Sequence, residues 1–434
     1  MTKPITLTPY QQTVHELSER LVKAQRPIRV LDAIKWGNDI QEEFFKSKCK
    51  KLPKVDVEYY QKTNPLPFDP EKKQEEFFDL EHDIRRLLGQ FSAVGNIMQR
   101  MCHEYRELVR MLEYRGTPKF TKISQELYGS SDDAFYAGAP KLSDLAELVS
   151  HTLKNLKDST INESDVKNYD SEQAVTILSK RLEKYFGSGN HQIRVKLSDG
   201  IIADAAAGAE FIKIRRGAIF SERDLRVIEV HEGWVHMGTT LNGMRQPICT
   251  FLSKGAPSST ITQEGLAIIM EIFTFASYPG RLRRLTDRVT AIHMAENGAN
   301  FVEVYEFFCK QGFDPENSYT FATRVFRGST PTGGPFTKDL VYSKGFIMIY
   351  NYIRLAIQHG LAHRVPLLFA GKTTLEDQRV LSDLVEEGLV LPPKYIPPQF
   401  ADLAALSAWM TYSVFLNKMN LERIAEDYKE ILQG

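Results

Sequence analysis

The chain has 434 residues, of which 42% are hydrophobic and 25% are charged, a composition that indicates a globular protein and excludes a largely disordered one. Lysine plus arginine equals aspartate plus glutamate at 55 each, so no net charge attracts the protein to nucleic acid or to an anionic membrane. We therefore predict no nucleic-acid and no membrane partner.

The N-terminal sequence MTKPITLTPYQQTVHELSERL lacks the apolar segment of a signal peptide. No apolar run in the chain approaches the roughly 18 residues that a membrane helix needs. The four cysteines are scattered and form no CxxC pair, which is typical of a protein in a reducing compartment. These features predict a cytoplasmic protein.

The first 165 residues carry a helical pattern. Apolar residues recur at three-to-four spacing over 9–45, 75–113 and 141–156. A basic segment interrupted by prolines, 46–69, reads as a connector. We predict a helical N-terminal region over 1–165.

The period changes after the turn signal GSGN (187–190), where HQIRVKLSDG alternates apolar and polar residues. We predict a β-hairpin whose return strand lies around 210–214. Ser221 and Asp224 then form a capping-box pattern that begins a helix over 222–237. The predicted fold class is α+β and predominantly helical, with a small sheet beside this helix.

The helix contains VIEVHEGWVH, in which His231 and His236 bracket Glu232 but stand five residues apart. At about 100° per residue, a five-residue step turns two side chains about 140° apart on a regular helix, so both cannot face one metal. A π-bulge would absorb the extra residue, and Gly233 between the histidines would ease the irregular backbone. Spacing alone leaves open a metal site and two ordinary histidines.

The next predicted helix starts near Ser259 in STITQEGLAIIMEIFTF, with Thr262 as a possible cap and Glu264 in its first turn. Glu264 follows His236 by 28 residues, which is enough chain to turn back toward it. Gly265 beside it would permit close approach of another helix. Glu264 is therefore the candidate third ligand.

A hydrolytic zinc site needs three protein ligands, an open position for water and a carboxylate that takes the water's proton. His231, His236 and Glu264 supply the ligands and Glu232 the base. Glu271, two turns beyond Glu264, is a candidate to orient a ligand histidine. In the alternative interpretation these histidines are structural and the glutamates are solvated charges.

HEGWVH together with ITQEGLA resembles the bacterial family named for its Gln-Glu-Gly-Leu-Ala motif, formerly linked to flavohaemoglobin expression, and the microtubule-associated tyrosine carboxypeptidase family. The resemblance implies an HExxxH motif with His231, His236 and Glu264 on zinc and Glu232 as the catalytic base. It also implies a zincin-like metallopeptidase core, which we place over 166–360. It extends less sharply through RVFRG and GGPFTKDLVYSKGF.

A carboxypeptidase must bind a terminal carboxylate, for which arginine or lysine is suited. We favour Arg324, Arg327 and Lys338 in the loop-like stretch TRVFRGSTPTGGPFTKDLVYSKGF. The weaker candidate is Lys213 on the preceding strand, beside which a peptide could add. Tyr342 could donate to the oxyanion. The alternatives are surface charges and a core tyrosine.

Helix resumes near Ile347, and 361–434 is predicted as a helical C-terminal region packed on the core, with a break at PPKYIPP. His359 and His363 have four-residue spacing but no glutamate follows the first, so we favour a structural pair over a metal site. AGKTT (370–374) lacks the first glycine of a phosphate loop and fits a helix cap better.

These features predict a zinc metallocarboxypeptidase that removes a C-terminal residue, aromatic as the resemblance implies, from a peptide or protein. Two alternatives remain open. One is a non-catalytic regulator or scaffold whose metal is structural or absent, and the other is an endopeptidase.

Overall fold

The computed structural model of the protein describes residues 7–154, 156, 166–187, 193–201, 203–208 and 211–432. The predicted turn at 188–190, the strand start at Glu210 and the region boundary at residue 165 lie outside these residues. No described helix combines the length and the apolar character that crossing a membrane requires.

The predicted helical character of the N-terminal part is confirmed. Side-chain caps begin several of its helices: Thr8, Asp69, Ser92 and Asp170 each accept a hydrogen bond from a backbone N–H of the first turn. The helices are α1 (Pro9–Gln25), α2 (Val30–Ala33), α3 (Asn38–Lys46), α4 (Val57–Thr63), α5 (Pro70–Leu88), α6 (Ala93–Glu113), α7 (Pro118–Tyr128), α8 (Leu142–Lys154) and α9 (Ser171–Phe186).

The sheet of the described residues has the strands β1 (Arg194–Ser198), β2 (Ala205–Ala207) and β3 (Phe211–Arg215), in the order β1-β3-β2. β3 runs parallel to β1 and antiparallel to β2. Because β1 and β3 are parallel, the predicted hairpin from β1 to a return strand around 210–214 is wrong. Ile212 and Ile214 are fully buried, so β3 takes the centre of the sheet and β1, which has no fully buried side chain, takes an edge.

The helix with the two histidines is continuous but irregular. It comprises α10 (Glu222–Ile228), a π-helical segment (Glu229–Met237) and α11 (Gly238–Met244). Ser221 and Asp224 form the predicted capping box at its start. The prediction that the helix is not regular between the histidines is confirmed.

The second ligand-bearing helix begins earlier than predicted. Its N-cap is Ala256, and Pro257 occupies the first turn, where its fixed φ angle and missing N–H are tolerated. Thr262 is consequently an interior residue, and the prediction of a cap there is wrong. Glu264 lies in the second turn and not in the first.

The predicted loop over 323–346 is also shorter than expected. The preceding helix continues to Phe326 and the next begins at Val341, so the true loop is the stretch rich in glycine and proline between them. The remaining helices are a 3₁₀ helix (Thr250–Ser253), α12 (Pro257–Phe273), α13 (Pro279–Glu296), α14 (Phe301–Lys310), α15 (Pro315–Phe326), a 3₁₀ helix (Thr337–Leu340), α16 (Val341–Gln358), a 3₁₀ helix (Ala362–Phe369), α17 (Gln378–Glu386), α18 (Pro398–Ala401), α19 (Leu403–Leu416), α20 (Leu421–Asp427) and α21 (Lys429–Leu432).

The buried apolar side chains of the described residues form three clusters. The first joins α1, α5, α6 and α7 to α17 and to the segment 248–256. The second surrounds the π-helical segment with α9, β3, α12, α16 and α19. The third joins α3 and α8 to α13, α14 and α15. The N-terminal helices thus share cores with later segments, and the boundaries at 165 and 360 stay a prediction.

Helices α12 and α16 approach each other closely at two glycines. A Cβ atom on Gly265 would lie 2.3 Å from the carbonyl carbon of Gly345, and one on Gly345 would lie 2.1 Å from the carbonyl oxygen of Ile261. No side chain fits at either position without separating the helices. The predicted role of Gly265 in close helix approach is confirmed.

Candidate metal centre

The π-helical segment places His231 and His236 side by side. Because π-helical hydrogen bonds reach five residues along the chain, residues five apart lie on the same face. The imidazole centroids are 4.8 Å apart and the rings are nearly perpendicular, at 86°. Gly233 faces Leu182 of α9, and a Cβ atom there would lie 2.3 Å from Leu182 Cδ2. The glycine therefore also permits tight packing of α9 against the segment.

Helix α12 brings Glu264 to the two histidines. Its Oε2 atom lies 3.2 Å from His231 Nε2 and 3.3 Å from His236 Nε2. The ligand atoms of these three residues all lie within 4.8 Å of one another, and no other group of the described residues has this arrangement. The predicted ligand candidates are thus brought together, and His359 and His363 belong to no such group.

A buried carboxylate holds His231 from its other side. Glu271 is fully buried, and its Oε1 atom lies 2.7 Å from His231 Nδ1. Arg281 donates to both carboxylate oxygens of Glu271, at 2.9 and 3.1 Å. Burial raises the pKa of Glu271, but Arg281 and His231 outweigh it and lower the pKa to about 2. The ionised carboxylate contacts the Nδ1 side of the His231 ring, and Nε2 on the other side faces Glu264.

The charges of the site fit a bound cation. Burial lowers the pKa of His231, but the facing carboxylates of Glu264, Glu271 and Glu232 raise it to about 10. Glu264 Oε2 is buried and accepts no well-aligned hydrogen bond from the described part of the chain. Two imidazole nitrogens, one carboxylate oxygen and an orienting carboxylate behind a histidine form a donor set that suits zinc. These residues could hold that metal.

Glu232 lies beside the three ligand candidates and points toward the sheet. Its Oε1 atom is 4.0 Å from His231 Nε2. Its Oε2 atom accepts a hydrogen bond of 2.7 Å from the backbone N–H of Ala207 on β2. The edge strand therefore fixes the carboxylate next to the candidate ligands.

Tyr342 lies in the first turn of α16 with its ring against His231, at a centroid distance of 6.3 Å and an angle of 29°. Burial raises the pKa of the phenol well above its ordinary value. The guanidinium of Arg288 on α13 lies 5.5 Å from the centre of the tyrosine ring. Tyr342 thus lies between the candidate ligands and a basic cluster that consists of Arg288, Arg324, Arg327 and Lys338.

The basic cluster surrounds one acid, Asp339. Arg324 donates to both of its carboxylate oxygens, at 2.8 and 2.9 Å. Arg288 is more distant, with Nε 3.9 Å from Asp339 Oδ2. Arg327 is buried, and its Nε makes no hydrogen bond to any residue that the structure describes. Burial and the charge of Arg324 lower the pKa of Arg288 and of Arg327 to about 10.

Lys338 belongs to the same cluster. Burial lowers the pKa of its ammonium group, although the negative charge of Glu264 acts in the opposite direction. Lys213 lies elsewhere, on the central strand β3, with its ammonium 5.9 Å from the centre of the Phe211 ring. Since β1 and β2 flank β3 on both sides, the prediction that a peptide could add beside the strand of Lys213 is wrong.

The family model of the microtubule-associated tyrosine carboxypeptidase matches residues 42–418. The chain belongs to this family. The match includes every residue of the candidate metal centre and of the basic cluster. No protein of curated function matches the chain. The resemblance to the tyrosine carboxypeptidase family is confirmed, and membership supports a carboxypeptidase, which is a hydrolase. The likeness to the bacterial family stays a prediction.

Three basic residues near the site of this tyrosine carboxypeptidase family member were not predicted from the sequence. Arg281 contacts Glu271, and Arg288 contacts Tyr342. Lys372 donates to the backbone carbonyl of His236 at 3.1 Å. No local signal identifies them, because basic residues on helices and loops are usually solvated. Of the three, Lys372 alone lies in a motif that the sequence singled out: AGKTT, which matches a phosphate loop incompletely.

Proposed function

We propose that this chain is a zinc-dependent metallocarboxypeptidase with a zincin-like core, and that it removes a C-terminal aromatic residue from a peptide or protein. The observation that carries the proposal is the convergence of His231, His236 and Glu264 with Glu232 beside them. Family membership adds the reaction class, and the name of the family adds tyrosine as the residue released.

His231, His236 and Glu264 would hold the zinc ion. When bound, zinc supplies Lewis-acid chemistry: it lowers the pKa of a water molecule and polarises the scissile carbonyl. Glu271 keeps His231 oriented through its 2.7 Å contact with Nδ1. The buried pair of Glu271 and Arg281 provides a rigid support for that histidine.

Glu232 transfers the proton in the proposed reaction. Its carboxylate takes a proton from the attacking water as the new carbon–oxygen bond forms. It then gives this proton to the amine of the released residue as the carbon–nitrogen bond breaks. The N–H of Ala207 restrains Oε2, so the two oxygens of Glu232 have different environments. Tyr342 stays protonated because burial raises its pKa, and it can donate to the developing oxyanion.

The basic cluster binds the terminal carboxylate of the substrate in this proposal. Arg324 is already engaged by Asp339 through two hydrogen bonds, so its role is to position that acid and its neighbours. Arg327 and Lys338 make no ion pair among the described residues and are better placed as anchors. Arg288 adds a third positive charge beside Tyr342. The cluster thus carries more positive charge than Asp339 balances.

Glu232→Gln separates catalysis from metal binding. We expect the variant to bind one zinc and to hydrolyse a peptide that ends in tyrosine at least about 100-fold more slowly, the usual contribution of a general base. The control is Glu229→Gln, a buried glutamate of the same helix that pairs with Arg226 at 3.0 Å. Unchanged hydrolysis by the Glu232 variant would refute its role.

Further measurements decide between the proposal and its alternatives. Replacing His231, His236 or Glu264 by alanine should abolish stoichiometric zinc; retained zinc would refute the ligand assignment. A native protein without zinc and without hydrolysis would be a scaffold. Equal cleavage of free and amidated C-termini would indicate an endopeptidase.

Substrate preference can be measured as the rate of hydrolysis of peptides that differ only in the last residue. We expect tyrosine and phenylalanine to be released faster than alanine or leucine. Since the family is described as microtubule-associated, a microtubule protein that ends in tyrosine is the first protein substrate to test. The scattered free cysteines support a cytoplasmic location, which is also part of the proposal.

A further inference from the structure

Lys372 lies next to the candidate metal centre but has no role in the proposed reaction. It follows the 3₁₀ helix that ends at Phe369, and its backbone N–H donates to the carbonyl of Leu252 at 2.7 Å. Its ammonium donates to three acceptors, all of them uncharged: the carbonyl of His236 at 3.1 Å, Thr239 Oγ1 at 3.0 Å and Gln263 Oε1 at 2.9 Å. A partly buried ammonium normally has a carboxylate partner, so this arrangement requires an explanation.

The first acceptor belongs to a ligand candidate. The carbonyl of His236 lies near the end of the π-helical segment, where the hydrogen-bonding pattern returns to that of an α-helix. The hydroxyl group of Thr240 also donates to it, at 2.8 Å. Two side-chain donors, Lys372 and Thr240, therefore hold the backbone from which the His236 imidazole projects.

The third acceptor connects the π-helical segment to α12. Gln263 immediately precedes Glu264, and its Oε1 atom accepts hydrogen bonds from both Lys372 and Thr239, the latter at 2.6 Å. Lys372 thus contacts a residue on each of the two helices that carry ligand candidates. Its contacts fix the distance between the backbone of His236 and that of Glu264.

We propose that Lys372 is a positioning residue for the metal centre, which joins the π-helical segment to α12 and so holds His236 and Glu264 at the separation that metal binding needs. The inference rests on the proposed zinc function. A side chain that orients ligands from outside the metal's own contacts typically changes metal affinity by about 10- to 100-fold when it is removed. Lys372 should therefore control affinity for zinc more than it controls the stability of the metal-free protein.

The test compares the zinc dissociation constant of the full chain, measured by competition with a chromophoric chelator, with the unfolding midpoint of the metal-free protein. Lys372→Met removes the donors and keeps most of the side-chain volume. We expect zinc to bind about 10- to 100-fold more weakly. The control is Lys73→Met, which removes a partly buried ammonium that donates to the carbonyl of Ala24 at 3.3 Å and pairs with Glu76. This variant should keep the native zinc affinity.

Thr239→Val provides a second test that does not depend on the folding of the lysine variant. It is nearly isosteric and removes the hydroxyl shared by Lys372 and Gln263, so zinc binding should again weaken. If both variants retain native zinc affinity, with or without a loss of stability, Lys372 does not position the ligands and the inference is overturned. If the lysine variant does not fold, the threonine variant alone decides. If the native protein binds no zinc, the proposed function itself fails, and that outcome is distinct.

Discussion

Replacing Glu271 by glutamine tests how much the orientation of His231 matters. The carboxylate of Glu271 is fully buried between His231 Nδ1, at 2.7 Å, and the guanidinium of Arg281, at 2.9 and 3.1 Å. Every neighbour that faces it is a donor. A glutamine keeps one accepting oxygen but turns an NH₂ group toward a donor. It also leaves the positive charge of Arg281 without its partner.

The expected loss of stability follows from these contacts. The pKa of Glu271 is lowered from 4.5 to about 2, which corresponds to about 3–4 kcal/mol at about 1.4 kcal/mol per unit. Breaking a buried ion pair on one side costs about 3–5 kcal/mol. We therefore expect Glu271→Gln to lower the free energy of unfolding of the metal-free protein by about 3–5 kcal/mol near neutral pH.

The sign of the pH dependence is fixed by the direction of the shift. A carboxylate with a lowered pKa in the folded state stabilises the protein above its unfolded pKa and loses this effect as the pH falls. For Glu271 the loss falls between about pH 4.5 and pH 2. The difference between the native protein and the variant should shrink over that interval. Zinc affinity should fall by about 10- to 100-fold.

Urea denaturation measures the loss of stability, and competition with a chelator measures the loss of zinc affinity. The control is Glu104→Gln on α6, which neutralises a partly buried carboxylate that accepts two hydrogen bonds of 2.8 Å from Ser258. The control should keep its zinc affinity. If Glu271→Gln also kept native zinc affinity, the carboxylate would support only the fold, and the orientation of His231 would need another cause.

Three further predictions concern the basic cluster, a helix contact and a buried acid. Arg327→Met and Lys338→Met should each slow hydrolysis of a peptide with a free C-terminus by about ten- to a hundred-fold and leave the rate on its amidated twin unchanged, since a charge-assisted hydrogen bond contributes about 1.5–3 kcal/mol; native rates on both peptides would place the carboxylate site elsewhere. Gly265→Ala should lower the melting temperature in calorimetry, because the added Cβ would lie 2.3 Å from the backbone of α16; an unchanged melting temperature would contradict this contact. Burial raises the pKa of Asp287 from 3.8 to about 6, so its stabilising effect is present below the lower value and lost as the pH rises through the higher one. Asp287→Asn should therefore match the native protein near pH 4 and exceed its stability by about 1–3 kcal/mol near pH 8 in urea titrations, whereas equal stability at both pH values would refute the shift.

The sequence by itself determined the features that depend on neighbouring residues. The five-residue step from His231 to His236 is incompatible with a regular helix that serves one metal, and the structure has a π-helical segment there. The capping box of Ser221 and Asp224 begins that helix as predicted, because its hydrogen bonds form within one turn. The 28 residues between His236 and Glu264 are enough chain to turn back, so the sequence also allowed Glu264 to be named as the candidate third ligand.

Tertiary structure decided the features that depend on distant partners. The central position of β3 follows from burial of Ile212 and Ile214, which alternation along one strand does not reveal. Arg324 donates two hydrogen bonds to Asp339, and the sequence showed both residues without their contact. Lys372 reaches the carbonyl of His236 across 136 residues of chain. A hydrogen bond or an ion pair between such residues leaves no local pattern, because it forms only when helices from different parts of the chain share a core.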